Sequence, residues 1–537
     1  MPDQAKNHTL NTVIIAFIVA LGGFLMGFDA SVISGAVKFI EIEFDLTKIQ
    51  LGWSVASLAF AATFAMMVAG PLSDKLGRKP ILRYAAVLFF ISAVLSALAP
   101  TFLTLVVARM IGGLGVGAAL IVAPMYIAEI SPPRVRGRMV SINQLNIVVG
   151  ISLAFFTNYL IIKLGQSDTA WVSSLRLDEW NWRWMLGLEA LPAVFYFVSL
   201  WLVPESPRWL IMNNKQEEAL EVMGRFNPPE NIPDQLDEIL KSVDHTQDQK
   251  PSRLAELFTK PMRLVLLIGI TVAVLQQITG INSVFFYAPM IFEQSGIGTD
   301  ASYMQAVLVG LTNLVFTLLA IALIDKIGRK TLLSIGVSGI AVCMFLLAYG
   351  FGSASYTLSK ESIEQLPESI DRVQLAQLEN QTFDSDLTYK KALADVLGKQ
   401  ALKENESVLI SSSIQMNPTL ILAGILGFVA SFAISIGPVM WVLFSELFPN
   451  RVRAVAISFV GFINSAVSFL VQLIFPWELA TLGNSGTFLL YGIFAVAGLI
   501  IISKLLPETK GKSLESLEKI LVKQPDSAQV QASNTSK

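Results

Sequence analysis

The segment Ser73-Asp-Lys-Leu-Gly-Arg-Lys79 recurs later in the chain as Ile324-Asp-Lys-Ile-Gly-Arg-Lys330. Two further landmarks are repeated in the same order. Glu129-Ile-Ser-Pro-Pro-Arg-Val-Arg136 returns as Glu446-Leu-Phe-Pro-Asn-Arg-Val-Arg453, and Pro204-Glu205 returns as Pro507-Glu508. Three matched landmarks in one order indicate an internal duplication, so we predict two halves related by a parallel repeat.

Long apolar segments separate these landmarks. The chain has 537 residues and is 53% hydrophobic and only 15% charged, whereas soluble domains carry about 25% charged residues. About twelve stretches are long enough to cross a membrane, which takes roughly 20 apolar residues. They cover residues 12–36, 51–72, 82–99, 102–127, 139–162, 183–203, 262–292, 303–324, 331–350, 418–445, 453–475 and 485–505. We therefore predict an all-α integral membrane protein with six transmembrane helices in each half.

The connections between these spans predict their orientation. Basic residues cluster in alternate connections, after spans 2, 4, 8 and 10. The positive-inside rule therefore assigns these connections and both termini to the cytoplasm, in a multi-pass protein of the cell (plasma or inner) membrane. The first span is too long for a signal peptide and lacks a small-residue cleavage site, so we expect it to be retained.

The predicted domains follow from this topology. They are an N-terminal six-helix half (1–204), a cytoplasmic linker of short amphipathic helices (205–260), a C-terminal half (261–511) and a disordered cytoplasmic tail (512–537). The offset between matched landmarks grows by about 66 residues within the second half, which locates an extracytoplasmic insertion at 351–417. A partly ordered loop is the simpler expectation for this polar segment, and a small lid or accessory subdomain is the alternative.

The composition also excludes several functional classes. A net charge of −2 provides no basic surface for nucleic acid. A single cysteine, Cys343, leaves no disulfide framework and no thiolate metal site. No Walker loop indicates ATP as an energy source, and no nucleophile–base constellation indicates an enzyme. We expect no metal and no cofactor.

The motifs resemble those of a known family. The Asp74–Arg78 and Asp325–Arg329 loops resemble the paired signature of the major facilitator superfamily. Three motifs resemble its sugar porter family in particular: Pro204-Glu-Ser-Pro-Arg-Trp-Leu210, Gln276-Gln-Ile-Thr-Gly-Ile-Asn282 and Pro507-Glu-Thr-Lys-Gly511. Within that family, Gly437-Pro-Val-Met-Trp441 and Ser445-Glu-Leu-Phe-Pro-Asn450 are most similar to bacterial proton-coupled pentose and hexose symporters, such as the D-xylose/proton symporters. The resemblance implies the major facilitator fold and uptake of a monosaccharide together with a proton.

Three ionisable residues lie inside predicted spans, where charge is costly and usually functional. They are Asp29 in span 1, Arg109 in span 4 and Glu189 in span 6. Counted from the predicted outer ends of their spans, all three lie about seven or eight residues deep, which is roughly 10 Å. We therefore expect them to meet at one height in the N-terminal half. The resemblance supports this expectation, because proton-coupled sugar symporters carry matching Asp, Arg and Glu positions.

Two acids that compete for one arginine form a natural proton switch. Pairing with Arg109 favours the charged form of Asp29, whereas Asp29 alone in a low-dielectric site favours the protonated form. If Arg109 moves towards Glu189, Asp29 takes up a proton, and closure of the outer side is no longer opposed by its charge. A permanent buried ion pair that only orients helices is the alternative.

A sugar site needs neutral amides, which both donate and accept hydrogen bonds, and an aromatic platform. The candidate residues, each matching a sugar-contacting position of the family, are Gln144, Gln276, Gln277, Asn282, Trp441 and Asn464. Gly280 can break span 7 next to these amides. The alternative is that the amides simply join helices. Compared with D-xylose symporters, Met26, Ile151, Phe286 and Ser465 replace Phe, Gln, Tyr and an aromatic residue, so a hexose, a pentose or a polyol remains open as substrate.

Opposite charges at the predicted cytoplasmic helix ends are candidates for a gate. They are Asp74, Arg78, Glu129, Arg136, Glu205, Asp325, Arg329, Glu446 and Arg453. We expect inter-helix ion pairs when the protein is outward-open and their loss when the inside opens, as each half rocks as a body. Such pairs contribute about 0.2–1 kcal/mol each, which suits a gate. Anchoring of the topology is the alternative role.

Two rival functions remain. A facilitative sugar uniporter would use the Asp29–Arg109 pair only structurally, and proton-dependent accumulation separates it from a symporter. A sugar sensor is more distant, because such proteins usually need long cytoplasmic extensions and neither terminus is long here. The expected partners are a small sugar, a co-transported proton and the lipid bilayer, without nucleic acid, and we expect the chain to work as a monomer.

Overall fold

The computed structural model describes residues 2–132, 135–167, 169–248, 254–449 and 452–510. Within these ranges, the first half contains eight helices. They are α1 (Pro2–Glu43), α2 (Lys48–Leu76), α3 (Arg78–Ala97), α4 (Phe102–Ile130), α5 (Arg136–Gly165), α6 (Ala170–Leu175), α7 (Asn181–Gly187) and α8 (Ala190–Ser199). Side-chain caps fix two of the starts, because Thr47 and Thr101 accept hydrogen bonds from the first turns of α2 and α4. α7 and α8 together form the predicted sixth span, which is interrupted at Glu189.

Three helices follow in the described residues of the predicted linker. They are α9 (Pro207–Met212), α10 (Gln216–Phe226) and α11 (Ile232–Asp248), with short 3₁₀ turns at Pro229–Asn231, Leu254–Phe258 and Lys260–Met262. The buried side chains of α10 are Ala219, Val222, Met223 and Phe226, a spacing that defines one apolar face. Ala219, Val222 and Phe226 belong to the hydrophobic cluster of the first half. The linker is therefore amphipathic, as its polar composition predicts.

The second half repeats the helical pattern around an insertion. Its membrane helices are α12 (Arg263–Ile278), α13 (Ile281–Glu293), α14 (Thr299–Ile327), α15 (Arg329–Gly352), α20 (Pro418–Ile434), α21 (Ile436–Leu447) and α22 (Arg453–Leu505). Spans 7 and 10 are broken, at Gly280 and at Ser435. The predicted tail, 512–537, lies outside the described residues.

The helices account for the twelve predicted spans. Ten helical stretches of the described chain are long and apolar enough to cross a membrane. One of these, Val455–Leu505, holds two spans, because Gly483 adopts φ +71° and turns the chain within α22. α7 and α8 supply the remaining one. Gly280, with φ +88°, breaks span 7 as its position predicts.

The internal repeat is visible in backbone detail. Gly77 and Gly328 join the second and third helices of each half with φ of +101° and +102°. A Cβ at either position would lie within 3.0 Å of a carboxylate oxygen, on Glu205 in one half and Glu508 in the other. Because a left-handed backbone and a contact this close both require glycine, the repeated Gly in the landmark motif has the same structural cause in both halves.

The two halves pack together at the predicted outer end. One buried hydrophobic cluster runs from the second part of α1, including Phe28 and Val37, into α13 and the rest of the C-terminal half. Ser152 of α5 donates a hydrogen bond to the carbonyl of Gly310 at 2.9 Å, and Tyr303 donates to the carbonyl of Gly35 at 2.5 Å. The end that the sequence predicts to be the outer mouth is therefore closed in this structure.

The insertion is a folded subdomain, so the expectation of a partly ordered loop was wrong. Its elements are β1 (Ser355–Thr357), α16 (Lys360–Gln365), α17 (Arg372–Leu375), a 3₁₀ turn (Ala376–Leu378), β2 (Thr382–Phe383), α18 (Asp386–Leu397), α19 (Lys399–Ser411) and β3 (Ile414–Gln415). The strands form an antiparallel sheet in the order β2-β1-β3, with Tyr356 opposite Phe383 and Ile414. Tyr356 stacks on Tyr389 within a separate hydrophobic core, which supplies the buried surface that a loop lacks.

Candidate functional site

The three charged residues of the N-terminal half form a buried cluster. Arg109 Nη1 lies 3.1 Å from Asp29 Oδ1, and both side chains are about 2% exposed. Gly112, one turn after Arg109, makes the approach of Asp29 possible, because a Cβ there would lie 2.8 Å from Asp29 Oδ2. The predicted meeting of α1 and α4 through this pair is present in the structure.

Glu189 completes the cluster from the break between α7 and α8. Its side chain is buried, and the charges of both Asp29 and Arg109 act on its carboxyl group. In the described part of the chain, Arg109 forms its ion pair with Asp29 and none with Glu189. This is one of the two arrangements that a competition between the acids predicts.

The cluster has unused hydrogen-bonding capacity. Asp29 Oδ2, Arg109 Nε and Nη2, and Glu189 Oε1 have no hydrogen-bond partner among the described residues. With both acids ionised, the cluster carries two negative charges against one positive charge. Because an uncompensated buried charge is costly, one bound proton would neutralise the site. The arrangement can therefore hold and release a proton.

A second cluster, of amides, lies in the C-terminal half. Gln277 Nε2 donates to Gln276 Oε1 at 3.1 Å and to Asn464 Oδ1 at 3.2 Å. Asn282 Nδ2 donates to Gln277 Oε1 at 2.8 Å, and Asn464 Nδ2 donates to Gln276 Oε1 at 2.7 Å. Four predicted sugar residues from α12, α13 and α22 therefore form one continuous network around the Gly280 break.

Two residues of this network were missed in the sequence. Asn282 Nδ2 also donates to Ser468 Oγ at 2.7 Å, and Gln472 Nε2 donates to the same hydroxyl at 2.8 Å. Asn464, Ser468 and Gln472 follow one another at intervals of four residues on α22. This spacing places them on one helix face, so it is the signal that would have found them.

Gln144 and Trp441 stand apart from the amide network. Gln144 is exposed on α5 and makes no hydrogen bond to the network within the described residues. Trp441 is 46% exposed and packs edge-on against Phe444, with ring centroids 6.0 Å apart. Met440, its neighbour, contacts Asn464 Nδ2 through sulfur at 3.7 Å. The structure thus brings four of the six predicted sugar residues together.

The charges at the predicted cytoplasmic face pair within the first half. Arg78 binds Glu129 through two contacts of 3.0 Å and Asp74 through one of 2.9 Å. Glu205 accepts hydrogen bonds from the backbone N–H groups of Arg78 and Lys79. Burial raises the pKa of Glu205, although these backbone donors act in the opposite direction. The cluster holds α3, α4 and the segment after α8 together.

The second half repeats this arrangement. Arg329 Nη2 lies 2.8 Å from Glu446 Oε1, and Glu508 accepts from the backbone N–H groups of Arg329 and Lys330 at 2.9 and 3.2 Å. Burial acts to raise the pKa of Glu508, but the backbone donors outweigh it and hold the pKa below its ordinary value. Arg453 Nε donates to the carbonyl of Phe448 at 3.1 Å.

The last two predicted gate residues are Arg136 and Asp325. Arg136 is exposed and has no ion pair among the described residues, and the side chain of Asp325 lies outside what the structure describes. In this structure, with the outer mouth closed, the Arg78–Glu129 and Arg329–Glu446 pairs are intact, and each stays within one half. Opening of the gate by breaking such pairs stays a prediction.

The comparisons with known proteins agree with this architecture. The chain matches the profile of the family described as "Sugar (and other) transporter" over residues 15–366 and 398–521. The arabinose-proton symporter of Bacillus subtilis (strain 168) is 32% identical over 523 residues, which cover 96% of this chain and 97% of that protein. The D-xylose-proton symporter of Escherichia coli (strain K12) is 33% identical over 536 residues, covering 94% of each.

The fold comparison gives the same result. The partially occluded inward-open structure of the Escherichia coli xylose transporter superimposes with a TM-score of 0.71 at 32% identity, over 94% of this chain and 100% of that one. The family is one of transporters and not of enzymes. This chain is therefore a multi-pass membrane protein of the major facilitator fold and belongs to the family of sugar (and other) transporters.

Proposed function

We propose that this protein takes up a monosaccharide together with a proton by alternating access. The observation that carries the proposal is the buried Asp29–Arg109 pair with Glu189 beside it, a site whose ionised form has one negative charge in excess. A relative 32% identical over nearly its whole length is named an arabinose-proton symporter, and another is named a D-xylose-proton symporter. A proton-coupled sugar transporter needs a proton site and a polar sugar site, and this chain has candidate residues for both.

The amide network suits a neutral, hydroxyl-rich ligand. Gln276, Gln277, Asn282 and Asn464 carry no charge, and their amide groups can exchange mutual hydrogen bonds for bonds to sugar hydroxyls. Gln144 and Trp441 would join the site from α5 and α21. Phe286 is buried and has no hydroxyl group. Xylose is therefore not the assumed substrate, and a hexose or a pentose fits the proposal equally.

The proton acts through the pairing of Arg109. In the arrangement seen here, Asp29 is paired with Arg109, and Glu189 has no ion pair among the described residues. Proton uptake by one acid removes the excess negative charge, so the outer side can close around the cluster without burying an uncompensated charge. Movement of Arg109 towards Glu189 would release Asp29 for protonation, and the sugar would be bound in the same outward-open state.

The orientation and assembly are part of the same proposal. Basic residues in alternate connections favour cytoplasmic termini, a cytoplasmic linker at 205–260 and an extracytoplasmic insertion at 351–417. The ion pairs that recur within each half at the repeated landmarks would keep each half rigid as it rocks. Both candidate sites are built from one chain, so a monomer suffices.

The test is uptake of a panel of labelled sugars into proteoliposomes, with and without an inward proton gradient. Wild type is compared with Asp29→Asn and with a matched control, Asp237→Asn, on the exposed face of the linker. We expect accumulation above equilibrium that requires the gradient, is lost in Asp29→Asn and survives in the control. If the sugar only equilibrates and the proton gradient has no effect, the protein is a facilitative uniporter. If no sugar of the panel is transported, the proposal is rejected.

A further inference from the structure

A buried carboxyl group in α22 belongs to neither site described above. Glu478 is 6% exposed, and Tyr491 donates a hydrogen bond from its hydroxyl to Glu478 Oε2 at 2.7 Å. The two residues lie on opposite sides of Gly483, where α22 turns between its two spans. Their hydrogen bond therefore ties span 11 to span 12.

Tyr491 also contacts the break in span 7. Its hydroxyl lies 3.3 Å from Ser283 Oγ. Its ring covers Gly280 so closely that a Cβ at Gly280 would lie 2.4 Å from Cδ2 and 2.5 Å from Cε2. The ring and the glycine are therefore fitted to each other, and the position of Tyr491 determines where the chain between α12 and α13 can lie.

That break separates the two sides of the amide network. Gln277 lies three residues before Gly280 and Asn282 two residues after it, and the two amides meet at 2.8 Å. We propose that Glu478 is a positioning residue for sugar binding. Its bond to Tyr491 fixes the ring against Gly280, and the ring in turn holds the backbone that sets the spacing of the amides. This proposal rests on the sugar-binding function proposed above.

The chemistry of the contact makes the proposal testable by a conservative change. The polar groups facing Glu478 and Tyr491 are Ser283 and Tyr287, and Tyr287 donates its own hydroxyl to the carbonyl of Gln472 at 3.1 Å. No cation lies within ion-pair distance of Glu478 among the described residues. A glutamine carbonyl can accept the tyrosine hydroxyl as a carboxylate does, whereas alanine cannot.

The experiment compares Glu478→Gln, Glu478→Ala and Tyr491→Phe with wild type. Amide hydrogen exchange over 276–286 in the sugar-free protein measures positioning, and equilibrium binding of the transported sugar measures its consequence. We expect faster exchange and about three- to tenfold weaker binding in Glu478→Ala and Tyr491→Phe, the effect of one lost hydrogen bond. Glu478→Gln should keep wild-type exchange and affinity, and the double variant Glu478→Ala/Tyr491→Phe should add little to either single change.

The two readouts separate failure of this proposal from failure of the proposed function. Unchanged exchange over 276–286 in Glu478→Ala and Tyr491→Phe would overturn the positioning role, whatever the sugar data. Loss of binding in Glu478→Gln with unchanged exchange would also overturn it, because it would assign a titrating role to the carboxyl group. If wild type binds no sugar, the proposed function fails while the exchange experiment still decides the positioning role.

An independent observation concerns the insertion, which contacts both halves. On the N-terminal side, Lys403 Nζ lies 3.0 Å from Asp45 Oδ1 and donates to the carbonyl of Leu46 at 3.1 Å. On the C-terminal side, Gln294 Nε2 donates to Glu406 Oε1 at 3.0 Å. Asp386 accepts hydrogen bonds from the backbone and side chain of Asn484 at 3.1 and 2.8 Å.

These contacts connect the halves across the closed outer mouth. The family profile leaves residues 367–397 unmatched, so this part of the insertion is an addition to the common scaffold. We infer that the insertion is a strap that stabilises the outward-closed state. The strap is anchored on the C-terminal half, and it separates from the Asp45–Leu46 loop only when the contacts of Lys403 with that loop break. Because Asp45 is largely exposed, the pair is weak enough to open during each cycle.

The strap is tested by distance measurements between spin labels at Ile49→Cys and Met304→Cys, in a Cys343→Ser background. Both labelled side chains are exposed and lie on opposite halves. We expect Lys403→Ala and Lys403→Glu to increase the outward-open population about two- to fivefold. Combining Lys403→Glu with Asp45→Lys should return this population to the wild-type level. Lys399→Ala, at an exposed position, is the control and should leave the population unchanged. An unaltered distance distribution in both Lys403 variants would overturn the strap.

Discussion

Removal of the second acid of the charged cluster should abolish proton coupling without removing the ion pair. In Glu189→Gln, Asp29 and Arg109 keep their contact of 3.1 Å, but the excess negative charge of the cluster is gone. The site then has no electrostatic need for a proton, because one acid and one base compensate each other. We expect this variant to exchange sugar across the membrane and to lose accumulation driven by a proton gradient.

The charges of this cluster also predict how strongly the protein should accumulate sugar. Two carboxyl groups and one guanidinium leave one negative charge, so we expect one proton to accompany each sugar. A gradient of one pH unit is worth about 1.4 kcal/mol per proton and supports about tenfold accumulation when the membrane potential is clamped at zero. Wild type should therefore accumulate sugar about tenfold per pH unit, and Glu189→Gln should reach only equal concentrations inside and outside.

Proteoliposomes with valinomycin and equal potassium on both sides provide the assay, because the pH gradient is then the only driving force. Glu179→Gln, an exposed residue before α7, is the matched control and should behave as wild type. About hundredfold accumulation per pH unit in wild type would indicate two protons and refute the charge count. Tenfold accumulation that persists in Glu189→Gln would refute the role of this acid.

Three further perturbations test other parts of the structure. Gln277→Ala removes two donated bonds and one accepted bond from the amide network, so sugar binding measured by calorimetry should weaken about five- to hundredfold. Gly112→Ala adds a methyl group 2.8 Å from Oδ2 of Asp29, so proton-driven uptake should fall while sugar binding is kept. Burial acts to raise the pKa of Glu406, but nearby lysines, above all Lys390, lower it to about 2. A lowered pKa stabilises the fold fully above the ordinary value of 4.5, and this stabilisation is lost progressively as the pH falls from about 4.5 towards 2. The protection factors for hydrogen exchange in α19 should therefore be equal at pH 7 and pH 6 and should fall below pH 4.5.

The sequence predicted those features that have a local cause. In the repeated Gly-Arg-Lys motif, the glycine has the same left-handed backbone in both halves. In each half, a carboxylate, of Glu205 or of Glu508, occupies the space that a side chain would need. The meeting of Asp29 and Arg109 followed from depth alone, since charges inside spans have few partners available. The four clustered amides were also predictable, because each lies within a few residues of a helix break or on the helix that faces it.

Other features depend on contacts that no local pattern encodes. The Glu478–Tyr491 bond joins residues thirteen positions apart, and only the turn at Gly483 brings them together. The insertion has short helices and two- or three-residue strands, so its periodicity is too brief to indicate a fold. The exposure of Trp441 and the pairing of Arg109 with Asp29 rather than with Glu189 are set by tertiary packing, which no local pattern specifies.

The proposed proton site and the amide network lie in different halves, so coupling between them would have to cross the interface between the halves. α1 carries Asp29 and packs along α13, which carries Asn282. The contact is direct: Lys38 of α1 binds Glu293 of α13 at 2.9 Å, and Phe28, next to Asp29, shares a buried cluster with Phe285. Under the proposed function, a change in charge at Asp29 would therefore act on the helix that also contributes Asn282 to the sugar site. The proton and the sugar would then both act on the interface between α1 and α13, without a separate pathway between the two sites.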